Sequence, residues 1–226
     1  MSTAEDYTRL RTRLYLITPP QIDDVEGFAA LLETALTAGD VACLQLRLKT
    51  AGGETDEAAT RAVGAAVTEM AQAYGVAVLV NDRPDLAVEL GADGVHVGLD
   101  DVPVKQARAI VGKDMIVGAT AKNSRHVAMQ ASEAGADYVA FGAFYPTGTK
   151  EDTVEASPDL LEIWQESMEV PCVAIGGITV GNAEPLVVAG ADFLAVSSGV
   201  WNHPAGAPAA VAEFNALLDR LDPSRS

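Results

Sequence analysis

Cysteine is scarce, cations are scarce, and long apolar runs are missing; each shortage removes a class of protein. Two cysteines occur, Cys43 in "VACLQL" and Cys172 in "PCVAIGG". Both lie in apolar segments, so they read as core thiols, and no spacing around them resembles a zinc site. Only 15 Lys and Arg stand against 32 Asp and Glu, a formal net charge of −17. That balance argues against nucleic acid and against an anionic membrane as partner. It also means that any phosphate site must concentrate the few cations. No run of about 18 apolar residues exists, so no transmembrane helix is expected. The opening "MSTAEDYTRLRTR" lacks an apolar segment behind its basic residues, which points to a cytoplasmic protein.

What the chain does hold is apolar residues, 49% of 226, enough for a sizeable core in one large domain. Short β-branched runs read as strands at Leu14–Thr18, Ala42–Leu48, Val76–Asn81, Gly94–Val97, Met115–Ala119, Tyr138–Phe141, Cys172–Ile175 and Phe193–Ser197. Helical patterns follow at Val25–Ala38, Thr55–Ala73, Leu86–Leu90, Val104–Val111, Ser124–Ala134, Pro158–Ser167, Asn182–Ala189 and Pro208–Leu221. A helix after every strand, at this count, is the pattern of an α/β fold, the (β/α)8 TIM barrel. No linker divides the chain, so residues 1–226 are expected to form a single domain with flexible tails at 1–12 and 222–226.

An internal repeat supports the barrel. "LGADGVHVG", "EAGADYVAFG" and "VAGADFLAVS" share Gly-Ala-Asp, at Gly91, Gly135 and Gly190, and a degenerate copy, "TAGDVACLQL", begins at Thr37. Glycine there permits the left-handed conformation that ends a helix before the strand resumes. Such turns lie on the N-terminal face of a barrel, where residues serve stability, so Asp93, Asp137 and Asp192 are expected to be structural.

Function in such a barrel collects at the opposite face, in the loops after the strands. The second strand ends "LQLRLKT", where alternation sets Gln45, Arg47 and Lys49 on one face and Leu44, Leu46 and Leu48 on the other. The leucines suit the outer helices, and two cations on the inner face require an anion. "VLVNDRPD" places Asn81 and Asp82 at the rim, and "GVHVGLDDVP" adds Asp100 and Asp101. Asp82 with one of these offers the hard oxygens that Mg²⁺ takes beside waters and phosphate, although Asp101 reads equally as a helix cap. His96 reads either as an internal hydrogen-bonded residue or as a ligand contact. Thr120 and Lys122 follow the fifth strand. "FGAFYPTGTKEDT" follows the sixth with Thr147, Gly148, Thr149 and Lys150, a stretch that alone would pass for a surface turn. "AIGGITVGN" and "AVSSGV" bring glycines and serines to the place where barrels build phosphate cradles. Two anion sites on one mouth imply two phosphorylated groups, one of them a metal-bound diphosphate.

The ordered blocks "QLRLK", "NDRPDLA", "GADGVHVG", "GADYVAFGAFYPTGTK" and "AIGGI" resemble the thiamine-phosphate synthase family, and the similarity runs from "LYLIT" to "AVSSGV". The resemblance implies a (β/α)8 barrel that condenses hydroxymethylpyrimidine diphosphate with thiazole phosphate, giving thiamine phosphate and pyrophosphate. It also implies that Gln45, Arg47, Lys49, Asn81, Thr120 and Lys150 hold the pyrimidine diphosphate. Mg²⁺ falls to Asp82 and Asp101, the thiazole phosphate to Thr147, Thr149, Gly177, Ser197 and Ser198, and the charge on departing pyrophosphate to Arg47 and Lys150. This chain departs from the family at Leu48, at Leu99-Asp100 and at Thr120, which keeps a hydroxyl in place of Ser. Two other functions compete: a thiazole tautomerase, whose strand-six loop carries a His where this one reads Gly142-Ala143-Phe144, and a non-catalytic phosphate-binding barrel. The sequence leaves open whether the chain forms a homo-oligomer.

Overall fold

Short strands separated by helices must pair in parallel, because each crossover returns the chain beside the strand it left. The computed structural model describes residues 10–146, 156–222 and 224. Its strands are β1 (Arg13–Ile17), β2 (Val41–Leu46), β3 (Ala77–Asn81), β4 (Gly94–Val97), β5 (Ile116–Lys122), β6 (Tyr138–Phe141), β7 (Cys172–Ile175) and β8 (Phe193–Val196). All pair in parallel and in chain order, and β8 closes on β1. The outer layer holds α1 (Val25–Leu36), α2 (Glu57–Ala73), α3 (Pro84–Glu89), α4 (Val104–Val111), α5 (Arg125–Glu133), α6 (Asp159–Ser167), α7 (Glu184–Val188) and α9 (Ala207–Arg220). A 3₁₀ turn at Val180–Asn182 and a short α8 (Ser198–Trp201) complete the described elements. The expected barrel is the observed one.

Boundaries moved where loop contacts outweigh pattern. β2 stops at Leu46, so Arg47, Leu48 and Lys49 leave the strand; a single antiparallel bridge joins Lys49 to Thr55. Leu44, Leu46 and Leu48 nevertheless all point into the core between strands and helices, at 1% exposure or less. A leucine buried so fully contributes roughly 1.5–3 kcal/mol. β5 runs on through Thr120 to Lys122, beyond the expected end at Ala119. At the amino end, Arg11 and Thr12 are pinned instead of loose: Arg11 Nε donates to Asp219 Oδ1 at 2.8 Å, and Thr12 Oγ1 donates to the Ala191 carbonyl at 2.7 Å. Cys43 and Cys172 are buried free thiols, both pushed up by burial, Cys172 to about 12.

The Gly-Ala-Asp repeat turns out to be a two-strand module. Each aspartate precedes an even strand and reaches back to the start of the odd strand before it. Asp93 Oδ2 accepts from Val78 N at 2.7 Å, Asp137 Oδ2 from Val117 N at 2.7 Å, and Asp192 Oδ2 from Cys172 N at 2.8 Å. The preceding helices add a second donor to each carboxylate, from Gln72, Arg108 and Gln165. In the degenerate copy Asp40 instead pairs with the Arg13 side chain, at 2.7 and 2.8 Å. Gly135, at φ 100, shows why glycine opens the module: the helix ends in a left-handed residue.

These carboxylates answer the strand amides on the face away from the mouth. Asp192→Ala should therefore leave the buried Cys172 N–H without an acceptor and cost about 1–3 kcal/mol. Urea unfolding should show a lower midpoint at unchanged slope. A midpoint equal to wild type would remove the structural role from the repeat.

Candidate active site

At the carboxyl ends of β1 and β2 the backbone is tied down so that one guanidinium is left over. Thr18, buried at 1%, donates its N–H to the Gln45 carbonyl at 3.0 Å and accepts from Arg47 N at 2.8 Å through Oγ1. Ser197 Oγ in turn donates to the Thr18 carbonyl at 3.2 Å, stitching β8 to β1. Arg47 is half-buried, and among the described residues its guanidinium makes no hydrogen bond or ion pair. Burial lowers its pKa from the ordinary value, with the Asp82 charge acting the other way. A partly desolvated cation without a partner is the arrangement that an anion completes.

Lys49 differs from the expectation that both cations stand ready for an anion. Its Nζ lies 2.7 Å from Asp82 Oδ2 and 3.3 Å from Thr55 Oγ1. Asp82 follows the last residue of β3 in the left-handed region, φ 64, which only a few side chains tolerate and which turns its carboxylate over the mouth. Burial pushes the Asp82 carboxyl up, but the hydrogen bonds from Lys49 and Asp101 and the Lys49 charge outweigh it and leave the group below its usual value. Asp101 moves the other way, raised by burial and then by the neighbouring Asp82. Two adjacent carboxylates are split in this manner because the second negative charge is costly beside the first.

The choice between ligand and helix cap for Asp101 falls against the cap. α4 begins at Val104 with Pro103 before it, and Asp101 Oδ2 accepts instead from Gly98 N at 2.9 Å. Asp100 caps nothing either; it is exposed, with no hydrogen bond or ion pair among the described residues. Asn81, on β3 beside His96, is 7% exposed, and among the described residues its side-chain amide makes no hydrogen bond.

Beneath the mouth, polar side chains run in a hydrogen-bonded file across the barrel interior. Gln45 Nε2 donates to Tyr15 Oη at 2.7 Å, and Tyr15 Oη lies 2.9 Å from Tyr138 Oη. Tyr138 Oη is 2.8 Å from His96 Nδ1, and His96 Nε2 is 2.9 Å from Thr120 Oγ1. His96 is thus the internal hydrogen-bonded residue of the two sequence readings. Burial depresses its pKa to about 4, with Asp82 opposing and Arg47 adding to the shift, so the ring is neutral near pH 7. Gly118 makes room for the file: a Cβ there would stand 2.0 Å from Tyr138 Cζ. Tyr15, Tyr138 and Thr18 are contributors that the sequence reading missed. Tyr15 and Tyr138 sit on strands at the alternate, inward positions, which was the available signal.

The loops after β6 and β7 pack against each other. Phe144 N donates to the Ile175 carbonyl and Tyr145 N to the Gly176 carbonyl, both at 3.1 Å. Gly177, at φ 62, leaves no space for a side chain; a Cβ would meet the Pro146 carbonyl oxygen at 2.5 Å. Thr147, Thr149 and Lys150 lie outside the described residues. The segments that flank them are fixed at this mouth: Ala156 N donates to the Ala143 carbonyl at 2.8 Å. Ser198 is exposed at the first turn of α8, next to Ser197. Trp201 Nε1 donates to the Ile17 carbonyl at 2.6 Å, and its ring packs 5.3 Å from Phe28.

Comparison with known proteins agrees with this architecture. A family model described as thiamine monophosphate synthase matches residues 14–200. The thiamine-phosphate synthase of Hyphomonas neptunium is 68% identical over 94% of this chain and 96% of its own length. That of Rhodospirillum centenum is 62% identical over 91% and 97%. Among solved structures, a thiamine phosphate pyrophosphorylase from Pyrococcus furiosus matches with a TM-score of 0.79 at 29% identity, covering 94% of this chain and 98% of that one. A 3-hexulose-6-phosphate synthase, at 17% identity and a TM-score of 0.63, shares the fold alone. Matched along nearly its whole length in both sequence and barrel, the chain belongs to the thiamine monophosphate synthase family of transferases.

Proposed function

We propose that this mouth binds hydroxymethylpyrimidine diphosphate and thiazole phosphate together and transfers the pyrimidine methylene to the thiazole nitrogen. The observation that carries the assignment is Arg47: a half-buried guanidinium without a partner among the described residues, beside the split carboxylates Asp82 and Asp101. Cation and carboxylates on one rim suit a diphosphate presented with a metal ion.

Asp82 and Asp101 fit Mg²⁺. No group of three or more His, Cys, Asp or Glu side chains gathers among the described residues, and Mg²⁺ commonly takes one or two carboxylates with phosphate oxygens and water completing its shell. When bound there, the ion supplies positive charge to the diphosphate oxygens. An ion held there would compete with Lys49, 2.7 Å from Asp82 Oδ2, for that carboxylate, and the ammonium would then be available to the substrate.

In the transfer, the bond from the methylene carbon to the diphosphate oxygen breaks and its electron pair leaves with pyrophosphate. The thiazole nitrogen then gives its lone pair to the methylene carbon, and no proton need move. Arg47 and Lys150 stabilise the departing charge, which is where a fixed cation lowers the barrier most. Gln45, Lys49, Asn81 and Thr120 hold the pyrimidine diphosphate. Thr147, Thr149, Gly177, Ser197 and Ser198 hold the thiazole phosphate, and the barrel supplies proximity. Incubating both substrates with Mg²⁺ should give thiamine phosphate and pyrophosphate in equal amounts. A barrel that binds phosphates without catalysis would release none.

Two sets of variants probe the partition of roles. Asp82→Asn and Asp101→Asn each remove one charge from the metal pair, so each should lower activity and be partly rescued by higher Mg²⁺. Asp100→Asn, altering an exposed side chain, should titrate like wild type. A rescuable defect in Asp100→Asn with none in Asp101→Asn would exchange the two assignments.

Lys150→Ala should slow pyrophosphate release by about 2–4 kcal/mol of barrier while changing substrate binding less. Single-turnover kinetics separates the two effects. Unchanged turnover would return "PTGTK" to the status of a surface turn.

A further inference from the structure

The hydrogen-bonded file inside the barrel has a direction. Gln45 Nε2 donates to Tyr15 Oη, which leaves the Tyr15 proton for Tyr138 Oη. Tyr138 then has its own proton for His96 Nδ1. With Nδ1 accepting, a neutral imidazole carries its proton on Nε2 and donates it to Thr120 Oγ1. In the reverse order Tyr15 would accept from both Gln45 and Tyr138 and give its own proton to the Cys43 thiol, a weaker acceptor than a phenol oxygen. Thr120 Oγ1 therefore accepts from His96, and its own proton makes no hydrogen bond among the described residues. Thr120 is half-buried on the last turn of β5 before the mouth, so that proton is left for a ligand.

We propose that Tyr15, Tyr138 and His96 are positioning residues that fix the Thr120 hydroxyl as a hydrogen-bond donor toward the pyrimidine diphosphate. The identity of that substrate rests on the function proposed above; the order of the donors does not. The file selects, at this point of the mouth, a substrate atom with a lone pair, and it disfavours one carrying a hydrogen. Gly118 belongs to the same device, since any side chain there would displace the Tyr138 ring.

Nitrogen-15 NMR of the protein labelled at its three histidines, recorded without substrate, reads the His96 tautomer. We expect a bare Nδ1 and a protonated Nε2, and a protonated Nδ1 overturns the proposal whatever the activity. Kinetics tests the coupling. Tyr138→Phe should lower kcat/KM for the pyrimidine diphosphate about tenfold and leave KM for the thiazole phosphate within about twofold. Thr120→Val should lower kcat/KM at least as far. Adding Tyr138→Phe to Thr120→Val should cost less than about twofold more, because no donor remains to be aimed. Multiplied losses would mean that Tyr138 acts independently of Thr120, and the proposal fails. If Tyr138→Phe does not fold, Tyr15→Phe enters the same cycle with the same two outcomes. A wild-type protein that shows the expected tautomer yet makes no thiamine phosphate overturns the substrate assignment alone.

Discussion

Closing parallel strands into a ring sends every carboxyl end to one rim and every inward side chain into one narrow interior. The rim collects residues that are far apart in sequence, from Thr18 to Ser198. A polar group turned inward and shut away from water must find a partner or cost about 1–3 kcal/mol. Gln45, Tyr15, Tyr138, His96 and Thr120 meet that demand by bonding to one another. Their file occupies space that Gly118 leaves open, so a residue without a side chain sets where a tyrosine and a histidine can stand.

The two faces of the barrel use carboxylates differently. Away from the mouth, Asp93, Asp137 and Asp192 accept strand amides and helix side chains, and their charge is consumed in holding neighbouring strands together. At the mouth, Asp82 and Asp101 press on each other, and one cation, Lys49, is drawn into the pair. That pairing balances charge locally in a chain of formal charge −17, where an unopposed cation would otherwise find many competing anions. Arg47 escapes this because burial shields it and the backbone around it is tied to Thr18.

The loops after β6, β7 and β8 meet as a block joined by backbone hydrogen bonds and close glycine contacts. Gly177 admits the Pro146 carbonyl where a side chain would exclude it, so the end of one loop is set by the conformation of the next. Trp201 adds a clamp from α8 to β1 and ties the eighth strand's loop to the first strand's end. Rim geometry is in this sense shared among loops rather than owned by any one of them.

Strand number, parallel order and the structural role of the Gly-Ala-Asp aspartates were legible in the sequence, because they follow from local periodicity and from turn chemistry repeated along the chain. The inward and outward division of Leu44, Leu46 and Leu48 against Gln45 was legible for the same reason, alternation in a strand. The end of β2 was not, since Arg47 leaves the strand through a bond to Thr18 that no local pattern encodes. Nor was the capture of Lys49 by Asp82, which depends on a left-handed residue at the end of β3 facing a loop from β2. Asp101 could be read locally as a cap, and only the position of Pro103 and the bond to Gly98 removed that choice. Composition and periodicity by themselves determined the fold and the face that carries chemistry. Which polar groups meet across the lumen, and in what order they donate, was decided only when the barrel closed and brought β1, β2, β4, β5 and β6 within hydrogen-bond reach.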